Sequence, residues 1–356
     1  MNTKLKKTIE ILNTKIFDDK GDSSIGLADG RMGLCIYFYY ISRMRKSKEY
    51  TQKAESLMES IFEQIMQTKV FDIKNGLAGI GLGIDYLIEN KFVEGNVNTI
   101  LKEVDDELFR YLCNHDKLNN NDILLQLQLI YYFLIRLKKQ NKNSENEYLF
   151  REVIINAINF LSEKIYSFFL DEPASFSIEN PSILTLLVLS KCYELYKEKI
   201  GRILKDISFC TLSKIPVLHS NRLYLLYTMD KVNKKIETKG WKEHIKLLAR
   251  ESDIEYIIEN ELADDLYFSN GLSAIYYILS GLEVYFSPEQ ICKYKNLIIN
   301  KIEGSPLWKR LIDDEVYLKL NNGLFSGYKG VSLLLHKHYK DENRLDRLDF
   351  YDACKD

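Results

Sequence analysis

The residues that could hold a metal or move a proton are few and scattered along the chain. The six cysteines include no Cys-x-x-Cys pair, so the sequence predicts reduced thiols rather than a disulfide framework or a cysteine-based metal site. His336 and His338 are two residues apart on a predicted helix and point to different faces, whereas a chelating pair needs a spacing of three or four. His219 lies next to a predicted helix start and is the candidate general base. The remaining histidines are His115 and His244.

Two pairs of adjacent aspartates offer a different chemistry. Asp264 and Asp265 precede one predicted helix, and Asp313 and Asp314 precede another. Two carboxylates that face each other across a cavity can act as acid and base on a glycosidic bond. Adjacent acids before a helix more often cap its amides and favour its dipole, and the chain has only two tryptophans for stacking on sugars. A carbohydrate-active toroid is therefore kept as an alternative.

A repeated element must position these residues. Two small residues three apart, followed by an aliphatic residue, recur in four copies, and three degenerate copies keep only the run into apolar residues. The seven copies lie roughly 40 to 60 residues apart, a period typical of repeat architectures. Each copy runs into an apolar segment, and charged amphipathic segments separate the copies. The sequence therefore predicts an all-α fold, an α/α toroid of seven inner and seven outer helices, formed by residues 1–356 as a single domain. The copies begin at or near Gly30, Gly76, Asp122, Pro181, Asn221, Gly271 and Gly327.

The glycines of the clearest copies are predicted to serve the backbone. Each inner helix follows a sharp loop, and glycine tolerates the positive φ that such turns often need. The second small residue of each copy is predicted to let the helix start pack closely against its neighbour.

Three of the copies resemble the inner-helix starts of lanthionine synthetase C-like proteins. They read Gly-Leu-Ala-Asp-Gly-Arg-Met-Gly-Leu at 26–34, Asn-Gly-Leu-Ala-Gly-Ile-Gly-Leu-Gly at 75–83 and Phe-Ser-Gly-Tyr-Lys-Gly-Val at 325–331. The resemblance implies a seven-fold toroid and a role in maturing ribosomally made peptides. In that family a zinc ion activates a cysteine thiol of the peptide, which adds to a dehydrated serine or threonine and closes a thioether ring.

The resemblance also implies where zinc ligands would lie. The family has a cysteine at the start of the fifth inner helix and a Cys-His pair before the sixth; aligned on the repeats, this chain has Ser220, Ser269 and Asn270 at those positions. Asn180 lies where the family often has a His-Gly phrase in the fourth repeat. Neutral hydroxyl and amide oxygens are poor ligands for zinc. We therefore expect these cavity-lining positions to bind no zinc, and we expect no other cofactor.

The expected function is a catalytically degenerate, non-zinc member of this family in lanthipeptide-type maturation, a pseudoenzyme that binds the precursor peptide. A dehydratase or another modifying enzyme is the expected partner. The alternative is an active thioether-forming cyclase that uses a non-metal base such as His219. The net charge of -2 argues against a nucleic-acid partner. The sequence shows no apolar window long enough for a transmembrane segment, and it predicts a cytoplasmic protein.

Overall fold

The computed structural model describes residues 3–17, 24–114, 122–165, 174–177, 179–236 and 239–341, so His115 and Cys354 lie outside the described residues. Within these ranges the regular structure is entirely helical. In chain order, the helices are α1 Thr3–Phe17, α2 Arg31–Arg45, α3 Lys48–Ile65, α4 Leu77–Glu89, α5 Val97–Ile100, α6 Lys102–Cys113, α7 Ile123–Lys138, α8 Glu145–Ser162, α9 Pro181–Cys192, α10 Lys197–Asp206, α11 Ser208–Leu212, α12 His219–Asn233, α13 Lys239–Arg250, α14 Ile254–Tyr256, α15 Leu272–Ser280, α16 Pro288–Gly304, α17 Leu307–Asp313, α18 Glu315–Leu320 and α19 Tyr328–Asp341. A π-helix, Ile257–Glu261, directly follows α14.

Seven of these helices begin at the repeated phrase, and they are called the core helices: α2, α4, α7, α9, α12, α15 and α19. Most of their residues are buried or half-buried, and α2 buries every residue from Arg31 to Ser42. Burial of α2 on all sides rather than on one face is what its apolar run from Leu34 to Ile41 predicts. The fifth copy, predicted near Asn221, starts slightly earlier, because α12 begins at His219 with Leu218 as its N-cap residue.

The chain divides into two compact units. Unit 1 contains Met1–Ser24, Ala28–Ile61 and Ile254–Asp356, and unit 2 contains Ile25–Leu27 and Phe62–Asp253. In unit 1, α19 packs against both α2 and α15. In unit 2, the core helices α4, α7, α9 and α12 pack each against the next in chain order. The organisation of residues 1–356 as a single domain stays a prediction.

Amphipathic helices cover the core helices inside each unit. In unit 2, α8 packs on α7 and α13 packs on α12, and in unit 1, α16 packs on α15. The outer helix α6 buries Val104, Leu108 and Leu112 at spacings of four residues, as the apolar periodicity predicted. Most of its charged residues are exposed, whereas Asp105 is buried. No helix among the described residues is long and apolar enough to cross a membrane.

The repeat glycines permit a close approach of two backbone segments. Gly76, the N-cap residue of α4, has φ -111° and ψ -171°, an extended conformation that any residue can adopt. The predicted positive φ is therefore wrong for this glycine. A Cβ atom on Gly76 would lie 2.5 Å from the carbonyl oxygen of Val70, which accepts a hydrogen bond from the N–H of Leu77. Glycine is needed here because the preceding loop folds back onto the helix start to cap it.

Candidate functional site

In unit 1, the loops that precede the first, sixth and seventh core helices form one hydrogen-bonded cluster. The carbonyl oxygen of Ala28 accepts hydrogen bonds from the N–H groups of Leu324, at 2.8 Å, and Phe325, at 3.1 Å. The carbonyl oxygen of Phe325 in turn accepts from the N–H groups of Phe268 and Ser269. The last repeat of the chain is thus bonded to both the first and the sixth, and the loop that carries Ser269 is fixed by its neighbours.

Asp29 strengthens the junction between the first and seventh loops. Its carboxylate accepts a hydrogen bond from the N–H of Ser326 at 3.1 Å, and the same oxygen lies against Gly323. A side chain at Gly323 would occupy the position of this carboxylate. Asp29 is therefore a structural residue of the loop cluster.

Ser269 and Asn270 lie directly before Gly271, which is the N-cap residue of α15. The hydroxyl of Ser269 donates a hydrogen bond to the side-chain oxygen of Asn270, at 2.8 Å. Ser269 is partly exposed and Asn270 is exposed. This pair presents neutral oxygen and amide groups at the two positions that the family resemblance assigns to Cys and His.

Both aspartate pairs lie in unit 1 and are exposed, namely Asp264 with Asp265 and Asp313 with Asp314. Asp314 caps α18, because its carboxylate accepts from the N–H of Tyr317 at 2.9 Å. Asp265 caps α15 through its backbone carbonyl, which accepts from the N–H of Leu272 at 2.7 Å, and no side chain caps this helix. The capping contacts of Asp314 and Asp265 fit the role that acids before a helix usually have.

In unit 2, Asn180 is the N-cap residue of α9. Its side-chain oxygen accepts from the N–H of Ile183 at 3.0 Å, and its amide nitrogen donates to the hydroxyl of Ser175 at 2.9 Å. Asn180 is buried, while its neighbour Glu179 forms an ion pair with Lys74 at 3.4 Å. These contacts give Asn180 a capping role that Pro181, at the first helical position, reinforces.

The start of the fifth core helix has a different register from that of the sixth. Ser269 precedes the N-cap residue of its helix by two positions, but Ser220 lies inside the first turn of α12 and is buried. Counted from the helix start, the residue that matches Ser269 is Pro216. Neither proline nor a buried serine hydroxyl supplies a metal ligand of the thiolate or imidazole type.

His219 is bonded to the loop that follows α13. The N–H of Asp253 donates to Nδ1 of His219 at 2.9 Å, and the carbonyl oxygen of Glu251 lies 3.1 Å from the same nitrogen. Both contacts fall on Nδ1, which accepts from Asp253 in one tautomer of the ring and donates to the carbonyl of Glu251 in the other. The ring is thus held by the backbone at Nδ1.

His244, the other histidine of unit 2 within the described residues, is buried on α13. Its Nε2 lies 3.0 Å from the carbonyl oxygen of Lys214, to which it donates. Burial lowers the pKa of His244 below its ordinary value, although the bond to Lys214 opposes this effect. The side chain therefore anchors the loop that begins at Lys214.

Sequence reasoning missed a buried ionic cluster in unit 2. The carboxylate of Asp105 accepts from Nη2 of Arg136 at 2.7 Å, from Nε of Arg136 at 3.0 Å and from the hydroxyl of Tyr132 at 2.6 Å. Asn98 accepts from Arg136 at 3.0 Å. The available signal was an arginine inside the apolar sequence of α7, with a tyrosine four residues before it on the same face. The cluster links α6 to α7.

The described residues do not fit zinc. No three His, Cys, Asp or Glu side chains lie close enough together in the described ranges to hold a metal ion. The five cysteines within these ranges are free, and burial raises the pKa of the Cys35 and Cys192 thiols far above the ordinary value. The hydroxyl of Ser269, the amide of Asn270 and the proline at position 216 are not a donor set that zinc selects.

No family model and no curated protein matches the sequence. A solved structure described as nisin cyclase is similar to this chain, with a TM-score of 0.68 and 12% sequence identity, over 99% of this chain and 98% of that chain. The two chains share a fold. The similarity confirms the predicted all-α toroid class and shows a lanthionine synthetase C-like fold.

Proposed function

We propose that this protein takes part in the maturation of ribosomally made peptides, as a lanthionine synthetase C-like subunit that binds the precursor peptide and does not use zinc. The full-length similarity in fold to nisin cyclase supports the peptide class. A dehydratase or another modifying enzyme is the proposed partner, since the peptide must lose water from serine or threonine before any thiol can add.

One observation carries the metal-free part of this proposal, namely the hydrogen-bonded pair of Ser269 and Asn270 before Gly271. Both side chains are neutral oxygen or amide donors, and each engages the other. A thiol that is not bound to a metal keeps a pKa near 8.5, so only about 3% of it is thiolate at pH 7. Without metal activation, the proposed contribution of the protein is to bind the peptide.

The proposal is tested with the purified full-length protein and a synthetic peptide that contains one dehydrated serine and one cysteine. We expect the peptide to bind, as measured by fluorescence anisotropy, and we expect thioether formation, followed by mass spectrometry, to be no faster than in buffer. Ring closure at least about tenfold faster than in buffer would overturn the metal-free, non-catalytic proposal. Absence of any peptide binding would overturn the peptide-binding role.

The same assay separates the alternative, an active cyclase that uses His219 as base. The two backbone contacts at Nδ1 hold the ring against the loop that follows α13, which favours a structural role for His219. If ring closure were accelerated in the wild type and lost in His219→Gln, the active cyclase would replace the proposal.

A further inference from the structure

Large apolar side chains of unit 2 face solvent around the loop that precedes α12. The exposed fraction is 79% for Phe209, 53% for Ile215, 85% for Val217 and 50% for Leu218. Phe209 lies on the short helix α11, and the other three lie on the loop that joins α11 to α12. Isolated exposed apolar residues are ordinary, whereas four along one short segment make a candidate interaction surface. This segment is called the 209–218 patch.

The patch is held in shape from inside. Arg222 donates through Nε to the carbonyl oxygen of Pro216 at 2.5 Å and through Nη2 to that of Val217 at 3.0 Å. His244 donates to the carbonyl oxygen of Lys214 at 3.0 Å. With these three carbonyls fixed, the exposed side chains are presented by an ordered loop. Because the loop is already ordered, binding a partner here costs less conformational entropy than binding to a mobile loop would.

The patch also has an uncompensated positive charge beneath it. The guanidinium of Arg222 bonds only to backbone carbonyls, the third being that of Glu251 at 2.8 Å, and no carboxylate among the described residues pairs with it. The carboxylate of Glu251 is engaged by Arg250 at 2.9 Å. No side chain caps the N-terminus of α12, so the positive end of this helix dipole adds to the field at the loop.

The loop backbone adds hydrogen-bond donors. Lys214, Pro216 and Val217 have their carbonyl oxygens occupied from within, whereas the N–H groups of Val217 and Leu218 donate to no residue that the structure describes. A complementary ligand therefore brings apolar side chains, carbonyl oxygens and negative charge. An extended peptide segment with aliphatic and acidic residues has all three.

We propose that the 209–218 patch binds such an aliphatic, acidic segment of the precursor peptide. Peptide side chains would pack on Phe209, Val217 and Leu218, and a peptide carboxylate would lie near Arg222. This inference rests on the proposed function and deepens it by assigning a peptide-binding surface and the chemistry of its ligand.

The probe is a fluorescein-labelled decapeptide of alternating leucine and aspartate. Two matched probes replace either every aspartate with lysine or every leucine with serine. The proteins are the wild type, the double variant Val217→Ser/Leu218→Ser and the control Val284→Ser, whose side chain is 79% exposed in unit 1. Because the substituted side chains are largely exposed, the variants are expected to fold. We expect the dissociation constant for the leucine–aspartate probe to rise about tenfold or more in the double variant and to be unchanged in the control.

Equal affinity of the wild type and the double variant would overturn the inference while leaving a peptide-binding role intact. Equal affinity for the aspartate and lysine probes would overturn its charge complementarity. Failure of the wild type to bind the probe would overturn the patch, and the dehydrated-peptide assay would then report separately on the proposed function. The wild type is also tested for self-association by sedimentation and for binding to phosphatidylcholine–phosphatidylglycerol vesicles. If the double variant loses either property while its affinity for the peptide is unchanged, the inference is overturned.

Discussion

The hydroxyl of Ser269 lies 2.8 Å from the side-chain oxygen of Asn270, so the two residues before the glycine cap of α15 bond to each other. The loop that carries them is bonded to the seventh-repeat loop through Phe325. The scaffold around this position is therefore well ordered, although its side chains lack the chemistry of a metal site. This combination motivates the predictions below.

Introducing a thiol and an imidazole at positions 269 and 270 should raise the affinity for zinc. The double variant Ser269→Cys/Asn270→His places a thiolate and an imidazole on an ordered loop, and both are preferred zinc ligands. After dialysis against zinc and removal of the excess, elemental analysis should find more zinc in this variant than in the wild type. The control Glu315→Cys/Val316→His puts the same pair on the exposed start of α18. Equal zinc in the variant and the control would show that this loop has no special capacity for metal.

Gly76 should tolerate no side chain. Gly76→Ala would bring a Cβ atom to 2.5 Å from the Val70 carbonyl and displace the loop that caps α4, at a cost of about 1 to 3 kcal/mol. In the control Gly304→Ala, nothing lies within 4 Å of the new Cβ, and the helix should gain up to about 1 kcal/mol. Urea unfolding followed by circular dichroism measures both changes. A neutral Gly76→Ala would contradict the close-approach explanation.

The buried ion pair of Asp105 and Arg136 should be sensitive to loss of one partner. Arg136→Met leaves the Asp105 carboxylate buried without its cation and should cost about 3 to 5 kcal/mol in the free energy of unfolding. Adding Asp105→Leu should recover a large part of that loss, because no charge then remains buried. The control Lys197→Met breaks an exposed pair with Glu194 and should cost less than about 1 kcal/mol. Similar costs for Arg136→Met and the control would refute this description of the cluster.

Asp85 on α4 should make stability depend on pH. Burial raises the pKa of its carboxyl above the ordinary value of 3.8, and the nearby Lys139 and Arg136 only partly oppose this shift. Since the folded-state pKa is higher than the unfolded-state pKa, the ionised carboxylate opposes folding at neutral pH, and this cost vanishes as the pH falls below both values. Asp85→Asn should therefore stabilise the protein at pH 7, with an advantage that shrinks as the pH approaches 3.8.

Urea unfolding at several pH values between 7 and 4 measures the effect at Asp85. Glu89→Gln is the control, because Glu89 is an exposed partner of the same lysine. An Asp85→Asn variant that is less stable than the wild type at pH 7 would show that the ion pair with Lys139 outweighs burial.

The sequence predicted the helix starts well where a glycine marks them, because close backbone approach leaves a direct trace in residue type. At the fifth repeat, where no glycine remains, the start lies at His219 rather than near Asn221, and the contacts of Arg222 with the loop carbonyls define the turn. No local pattern reveals such a side-chain clamp. The predicted positive φ was wrong at Gly76 because a hydrogen-bonded loop carbonyl, not a turn conformation, excludes the side chain.

Side-chain roles that depend on distant partners were harder to predict. Asp314 caps a helix as expected for an acid before a helix start, but Asp265 caps through its backbone. The bond between Asp105 and Arg136 joins two helices across 31 residues of sequence, and only packing brings these residues together. The degenerate zinc site stays a prediction that experiment must test.

The metal content of the full-length protein tests the metal-free proposal most directly. The protein is expressed with added zinc and purified without chelators, and its zinc is measured by inductively coupled plasma mass spectrometry. Because the hydroxyl of Ser269 and the amide of Asn270 are poor zinc ligands, we expect the wild type to contain no more zinc than the double variant Ser269→Ala/Asn270→Ala. Tightly bound zinc near one atom per chain in the wild type would contradict the proposal of a metal-free peptide-binding subunit.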